Sequence, residues 1–460
     1  MSTLFQHRIQ QPDERQVQAA RAAAIAMGGG DDEHDELLRR IGNARFVLLG
    51  EASHGTHEFY EARARITLRL VAERGFDAVA IEGDWPDAYR VNRYVRGLGE
   101  DASASDALAG FRRFPTWMWR NTAVVDLVER LRQWNAGRPE AARTGFYGLD
   151  LYSLNASMAA VLEYLDREDP ALAARARERY ACFEPFGGDS QAYGLMTGLG
   201  STRSCEEDVI RTLAELQHRR AQAGPGVGGD REAAFDAEQN AALVRDAERY
   251  YRGMYLSDVS SWNERDTHMA RTLWAIDRHL SRPGRPAKIV VWAHNSHLGD
   301  ASHTEMGQAR GELNLGQLVR ERYPQDCWLV GFTTHDGAVT AAATWDAKAE
   351  HKRVNPSRGD SIEAVLHATG LRRFLLPLRD DARLARVFES PLLERAIGVI
   401  YRPDTERQSH YFHAQVARQF DALIHIDRTR AVEPLEADAP WTSGRAAHVG
   451  EAPETYPQGL

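Results

Sequence analysis

Short apolar runs alternate along the chain with longer polar or amphipathic stretches, and the clearest runs stop on a polar, often ionisable, side chain. Arg45-Phe46-Val47-Leu48-Leu49 is closed by Gly50-Glu51, and Ala78-Val79-Ala80-Ile81 by Glu82-Gly83-Asp84. Gly145-Phe146-Tyr147-Gly148-Leu149 is closed by Asp150, and Lys288-Ile289-Val290-Val291-Trp292-Ala293 by His294. Runs of this length, bounded by turn residues, read as strands buried on both faces. Apolar runs at 328–333, 374–376, 399–401 and 422–426 predict further strands. After the first run, Ser53 or Thr56 is placed to cap a helix that continues to about Arg74 and stops at Gly75. Strands alternating with helices predict an α/β fold with a largely parallel sheet covered on both faces. Ligands in such folds sit beyond the carboxyl ends of the strands. A solvated loop carries any one of Glu51, Glu82, Asp150 and His294 by chance. All of them at strand ends point to one shared pocket.

Residues 1–34 read as a helical, polar lead-in, and 35–430 as one domain that carries the candidate pocket. Between the third and fourth runs, about 153–285 is too long for one crossover helix, so it reads as a helical insertion placed to act as a lid over the strand ends. Its Gly-rich break at 221–230 formally holds G-x-G-x-x-G at Gly224, Gly226 and Gly229, but a helical run precedes it, so it reads as a flexible linker. Residues 431–460, rich in Ala, Pro, Gly and acids, are expected to form a disordered tail.

Composition narrows the function. Net charge is −9, which disfavours nucleic acid and anionic membrane, both of which need a basic face. With 43% hydrophobic residues and ten Trp, the chain can bury a large core and line a pocket with rings. Cys182, Cys205 and Cys327 are odd in number and widely spaced, with no C-x-x-C, suggesting neither a disulfide framework nor a thiolate zinc site. The first residues hold no apolar run of the signal-peptide kind, and no stretch is long enough to span a membrane, so a cytoplasmic location is expected.

Candidate chemistry sits in two histidine segments. Glu51 lies three residues before His54, so in a tight turn it orients the ring as an acid partner orients a general base. His57 follows on the same helix start, and Arg63, about two helical turns on from Thr56, points back toward the strand ends. The second segment is Trp292-Ala293-His294-Asn295-Ser296-His297. A lone histidine in a turn more often caps a helix or satisfies a loop hydrogen bond. Beside acid-bearing strand ends, and as a pair at His294 and His297, a role as metal ligand, oxyanion donor or proton carrier gains weight. The stripe Tyr250, Tyr251, Tyr255 and Trp262 is more often core than ligand surface. No G-x-S-x-G elbow, H-E-x-x-H helix or G-x-x-x-x-G-K-[ST] phosphate loop is present. Without an evident nucleophile, direct activation of water is the simplest chemistry.

Gly50-Glu51-Ala52-Ser53-His54-Gly55-Thr56-His57-Glu58 followed by Arg63, Ala80-Ile81-Glu82-Gly83-Asp84, and Trp292 to His297 together resemble the erythromycin esterase family. Ser261-Trp262-Asn263-Glu264-Arg265-Asp266, Ser409-His410-Tyr411-Phe412 and Ile424-His425-Ile426-Asp427 carry the resemblance further, over about residues 35–435. It implies a three-layer α/β/α core with a helical lid and hydrolytic opening of a macrolactone ester. The family's catalytic glutamate and histidine fall on Glu51 and His54, the base, its arginine on Arg63, its second glutamate on Glu82 and its two later histidines on His294 and His297. The expected catalytic set is accordingly Glu51, His54, Arg63, Glu82 and His294, with His297, His57, Asp150 and Arg265 expected in substrate binding. Asp84-Trp85-Pro86-Asp87 and Tyr94-Val95-Arg96-Gly97 look like a subgroup labelled only by similarity, including as polysaccharide-biosynthesis proteins, so the substrate need not be a macrolide.

The expectation is therefore a hydrolase of a small-molecule ester or lactone that needs no cofactor. Two alternatives stay open. One is a divalent-metal hydrolase using His54, His294 and His297. The other is a non-catalytic binding or biosynthetic accessory protein that keeps the pocket. Oligomeric state is not legible from the residues.

Overall fold

The computed structural model describes residues 11–30, 32–223, 231–255 and 257–435. Its centre is an eight-stranded sheet of β1 (Ile25–Ala26), β2 (Phe46–Leu49), β3 (Ala78–Asp84), β4 (Gly145–Asp150), β5 (Ile289–Trp292), β6 (Cys327–Thr333), β7 (Arg373–Pro377) and β8 (Ala422–Ile426). The spatial order is β1-β7-β8-β6-β2-β5-β3-β4. From β8 to β4 every pairing is parallel, while β7 runs antiparallel to its neighbours β8 and β1. This is the α/β fold with a largely parallel sheet expected from the alternation of elements.

The sheet is buried on both faces, and strand alternation decides which residues serve each core. Phe46, Leu48, Ala78, Ala80, Leu149, Val291 and Leu329 face one core. Val47, Leu49, Val79, Ile81, Val290 and Val330 face the other. The second core is closed by α1 (His57–Arg74), which supplies Phe59, Ile66 and Leu70, and by the helix Thr122–Asn135. Gly75 ends α1 in the left-handed region, with φ of 66°. The first core is closed by helices of the 153–285 insertion, chiefly α2 (Arg231–Gly253) and α3 (Asp258–Leu280), through Phe235, Val244, Met269 and Leu273. The insertion thus builds one layer of the sandwich.

The order β2-β5-β3-β4 has a direct consequence for the site. It sets the ends that carry Glu51, His294, Glu82 and Asp150 on four adjacent strands, about 4.8 Å apart. These residues lie far apart in sequence because β5 slots between β2 and β3 only after the insertion.

Several expectations are corrected. Residues 399–401 form no strand, only an isolated bridge between Ala342 and Ile400; Val399 is buried in the second core and Tyr401 beneath a small sheet. That sheet joins Asp336–Ala341, Glu350–Val354 and Arg428–Thr429, and a separate ladder pairs Leu392–Arg395 with Tyr411–Ala414. The lead-in contributes β1 and the helix Glu14–Ala23 to the core architecture. Residues 431–435 are not tail: Ala431 bridges Thr56, Pro434 bridges Asn121, and Val432 is buried. The rest of the expected tail lies outside the described residues, as does 224–230 of the Gly-rich break. Finally, Cys182 and Cys205 form a disulfide across the insertion, with Cα atoms 6.0 Å apart. Helix packing brings together two thiols whose spacing gave no such signal.

Candidate functional site

The loop after β2 is held from below and from the side. The Tyr60 hydroxyl donates to the His54 carbonyl at 2.8 Å, and the Gly55 carbonyl accepts from the Val432 and Thr340 backbones. A Cβ on Gly55 would lie 1.8 Å from the Thr340 carbonyl oxygen, so no larger residue fits this close approach. Within this loop Glu51 is a two-sided clamp. One carboxylate oxygen accepts from His54 Nδ1 at 2.9 Å and the other from Arg63 Nη2 at 2.5 Å. Arg63 is fully buried, and its guanidinium lies 4.6 Å from the ring centroids of both Tyr60 and Trp292. Because a carboxylate only accepts, His54 carries its hydrogen on Nδ1 and Nε2 is its basic nitrogen.

The next strand end over, beyond β5, places the His294 ring 4.8 Å from that of His54. Its Nδ1 accepts from the Ser296 N–H at 3.3 Å and lies 2.8 Å from the Ser296 hydroxyl. The neutral His294 ring therefore carries its hydrogen on Nε2, the opposite tautomer from His54. The His294 backbone N–H donates to Glu82 at 2.8 Å.

A second arginine organises the other half. Arg265, on α3, grips Asp150 through Nε at 3.0 Å and Nη2 at 2.7 Å, reaches Glu82 at 2.9 Å, and lies 3.0 Å from His297 Nε2. His297 Nδ1 pairs with Asp266 at 2.9 Å, and its ring stacks on Trp262 with centroids 4.5 Å apart. Burial opposes charge on this ring, but the Asp266 and Glu82 carboxylates outweigh it and the nearby Arg265, raising the pKa to about 10. The Arg265 contact is a hydrogen bond to a neutral ring and a repulsion for a charged one. Two flanking carboxylates decide the balance for the charged form.

Beside this cluster opens a cavity bounded by Glu82, Asp84, Asp87, Asp150 and Arg265, with Phe111, Phe114, Trp119, Tyr152 and Trp345 among its walls. His54, His294 and His297 are not part of its lining. His54 is 2% exposed.

The model of the erythromycin esterase family matches residues 71–429. This chain belongs to that family. The matched span holds Glu82, Asp150, Arg265, His294 and His297 and begins after the 50–58 segment. Erythromycin esterase type II of Escherichia coli is 22% identical over 431 residues, covering 88% of this chain and 94% of that protein. A solved structure titled a succinoglycan biosynthesis protein superposes with a TM-score of 0.71 at 21% identity, over 91% of this chain and 98% of that one. A mutant of the erythromycin esterase EreC in its open conformation superposes with a TM-score of 0.63 at 19% identity, over 89% and 96%. Both show the fold.

Within this erythromycin esterase fold, Glu51, His54, Arg63, Glu82, Asp150, Arg265, His294 and His297 converge. His57 does not join them: it heads α1, and its backbone N–H donates to the Arg430 carbonyl at 2.9 Å. Glu82 engages Arg265 and the His294 backbone. The metal set of His54, His294 and His297 does not fit, because His297 holds Asp266 on one nitrogen and faces a guanidinium on the other. Among the described residues no group of three or more His, Cys, Asp or Glu is arranged to hold a metal. The sequence reading missed the roles of Asp266, Ser296 and Arg113; Asp266 was findable, since it follows Arg265 on the helix that supplies it.

Proposed function

We propose that this protein hydrolyses an ester or lactone by direct attack of water activated at His54. Membership of the erythromycin esterase family supports hydrolase activity; the observation that carries the mechanism is the contact of His54 Nδ1 with the Glu51 carboxylate and of His294 Nδ1 with the Ser296 N–H, the two rings 4.8 Å apart. Glu51 fixes His54 with its lone pair on Nε2, ready to take a proton from water as the water oxygen attacks the carbonyl carbon. Ser296 fixes His294 with a hydrogen on Nε2, ready to donate to the oxyanion. Collapse of the tetrahedral intermediate expels the alkoxide, which recovers the proton from His54, leaving a carboxylic acid and an alcohol. Arg63 is a positioning residue that holds Glu51, Arg265 and Asp150 form part of the floor of the substrate cavity, and Asp266 holds His297 behind it.

The chain needs no cofactor for these steps. The substrate class is a small-molecule ester, with a macrolactone as the leading candidate on family grounds. Incubation with a panel of macrolides and simple esters, with and without chelator, tests this by the mass gain of one water. Turnover is expected to survive chelation and to fall by about a hundredfold or more in His54→Ala. Unchanged turnover in His54→Ala refutes the base assignment, whereas failure of every macrolide with turnover of simpler esters refutes only the macrolide.

A further inference from the structure

The cavity beside the Arg265 cluster has a chemistry that the proposed hydrolysis does not use. Each acid on its floor but one is already matched. Arg113 holds Asp84 through Nε at 2.7 Å, and Arg265 holds Glu82 and Asp150. Asp87, in the first turn of the helix Trp85–Val95, lines the same cavity, and among the described residues no hydrogen bond or ion pair reaches its carboxylate. Phe111, Phe114, Trp119, Tyr152 and Trp345 face the space around it, and the Phe114 and Trp345 rings meet edge to face at 4.7 Å.

We propose that Asp87 is the counter-ion for a protonated amine carried by the substrate, seated between the acids and the aromatic walls of this cavity. Carboxylates outnumber guanidinium groups along the lining, so the space favours a cation over an anion. Aromatic faces stabilise the same cation without competing for its hydrogen bonds. A neutral hydroxyl group would satisfy one lone pair and leave the excess charge. Burial and the Asp84 carboxylate raise the pKa of Asp87 to about 7, against the opposing charges of Arg113, Arg112 and Arg90. That is the behaviour of a carboxyl group lacking a cation, and a bound ammonium would supply it.

The inference rests on the ester-hydrolase reading only for the form of its substrate, so two measurements separate them. The first compares 2-(dimethylamino)ethyl phenylacetate with its neutral isostere 3-methylbutyl phenylacetate. The wild-type protein is expected to favour the amine in kcat/KM by about tenfold or more, the range for a charge-assisted contact. In Asp87→Asn that ratio should collapse toward one, and in Asp87→Glu, which keeps the charge, it should partly return. The second measurement is calorimetric titration with phenethylammonium and with its N-acetyl derivative. Phenethylammonium should bind the wild type about tenfold more tightly than Asp87→Asn, and the acetylated compound should not distinguish them. Thermal unfolding of each variant checks that the fold is retained. Amine-selective binding without hydrolysis of either ester leaves the amine site standing, and the panel of macrolides and esters then decides the hydrolase reading separately. Hydrolysis or binding with no preference for the amine overturns the role of Asp87.

Discussion

Replacing Glu51 with glutamine tests the central clamp, because the amide has one accepting end where the carboxylate has two. In the protein both ends accept, from His54 Nδ1 at 2.9 Å and from Arg63 Nη2 at 2.5 Å. The glutamine side chain can therefore satisfy one donor only by turning its NH2 group toward the other. Arg63 and Glu51 are 0% and 1% exposed, so the guanidinium would lose its counter-charge without gaining water. Removing one partner of a buried pair costs about 3–5 kcal/mol, a large share of the roughly 5–15 kcal/mol that holds a folded domain. Urea unfolding should show that loss. Turnover should fall as well, since the His54 tautomer is no longer fixed; an acid-to-amide change in a Ser-His-Asp triad costs about four orders of magnitude. Stability and chemistry separate in the double variant Glu51→Gln, Arg63→Met. Both charges are then gone, and the thioether can pack between the Tyr60 and Trp292 rings that now flank the guanidinium. The double variant should recover much of the stability and none of the turnover. Wild-type turnover in Glu51→Gln would refute the orienting role. A double variant as unstable as the single one would refute the ion-pair account.

The other predictions use different levers. The His297 pKa is raised from 6.5 to about 10, so its contribution is fully present below pH 6.5 and is lost as pH rises through about 10. The stability advantage of wild type over His297→Gln, measured by urea unfolding, should therefore shrink between pH 7 and 10, and a constant advantage would argue for a neutral ring. Asp87 also has a raised pKa, here an acid that ionises unfavourably in the fold between pH 3.8 and about 7. Asp87→Asn should accordingly stabilise the ligand-free protein at pH 8 and not at pH 3.5. Replacing Cys182 and Cys205 together by serine opens a loop of sequence separation 23 and should cost about 2–4 kcal/mol in denaturant unfolding under non-reducing conditions. Reduction of the wild type should match it.

Much of the fold was legible because a parallel sheet buried on both faces writes its strands as unbroken apolar runs. The runs ending at Glu51, Glu82, Asp150 and His294 all became adjacent strands. The pattern failed where burial and pairing come apart. Residues 399–401 are apolar and largely buried yet pair through a single isolated bridge, while Glu350–Val354 is a strand with mostly exposed, polar residues. β1 is two residues long and leaves no period to read. The disulfide was illegible for a related reason: spacing along the chain says nothing about which helices of the insertion pack together.

The site divides along the same line. Glu51, His54 and Arg63 occupy one turn and the helix it starts, so local geometry connects them, and the sequence could pair the acid with the base. The Arg265 half draws Glu82, Asp150, Asp266 and His297 from separate elements, and only the sheet order joins them. The two halves meet where His294 lies against His54. Around that point the carboxylates of Glu51, Glu82, Asp150 and Asp266 gather about the guanidinium groups of Arg63 and Arg265, with Arg113 acting on Asp150 from the far side while it holds Asp84. This excess of buried negative charge favours positive charge on an imidazole. It holds a proton on His297 at rest, and it would stabilise the imidazolium that forms on His54 as water gives up its proton. The charge balance therefore assigns the histidines different tasks. Asp266 and Glu82 favour the charged form of His297, whereas the Nδ1 contacts of His54 with Glu51 and of His294 with Ser296 suit the proposed general base and oxyanion donor.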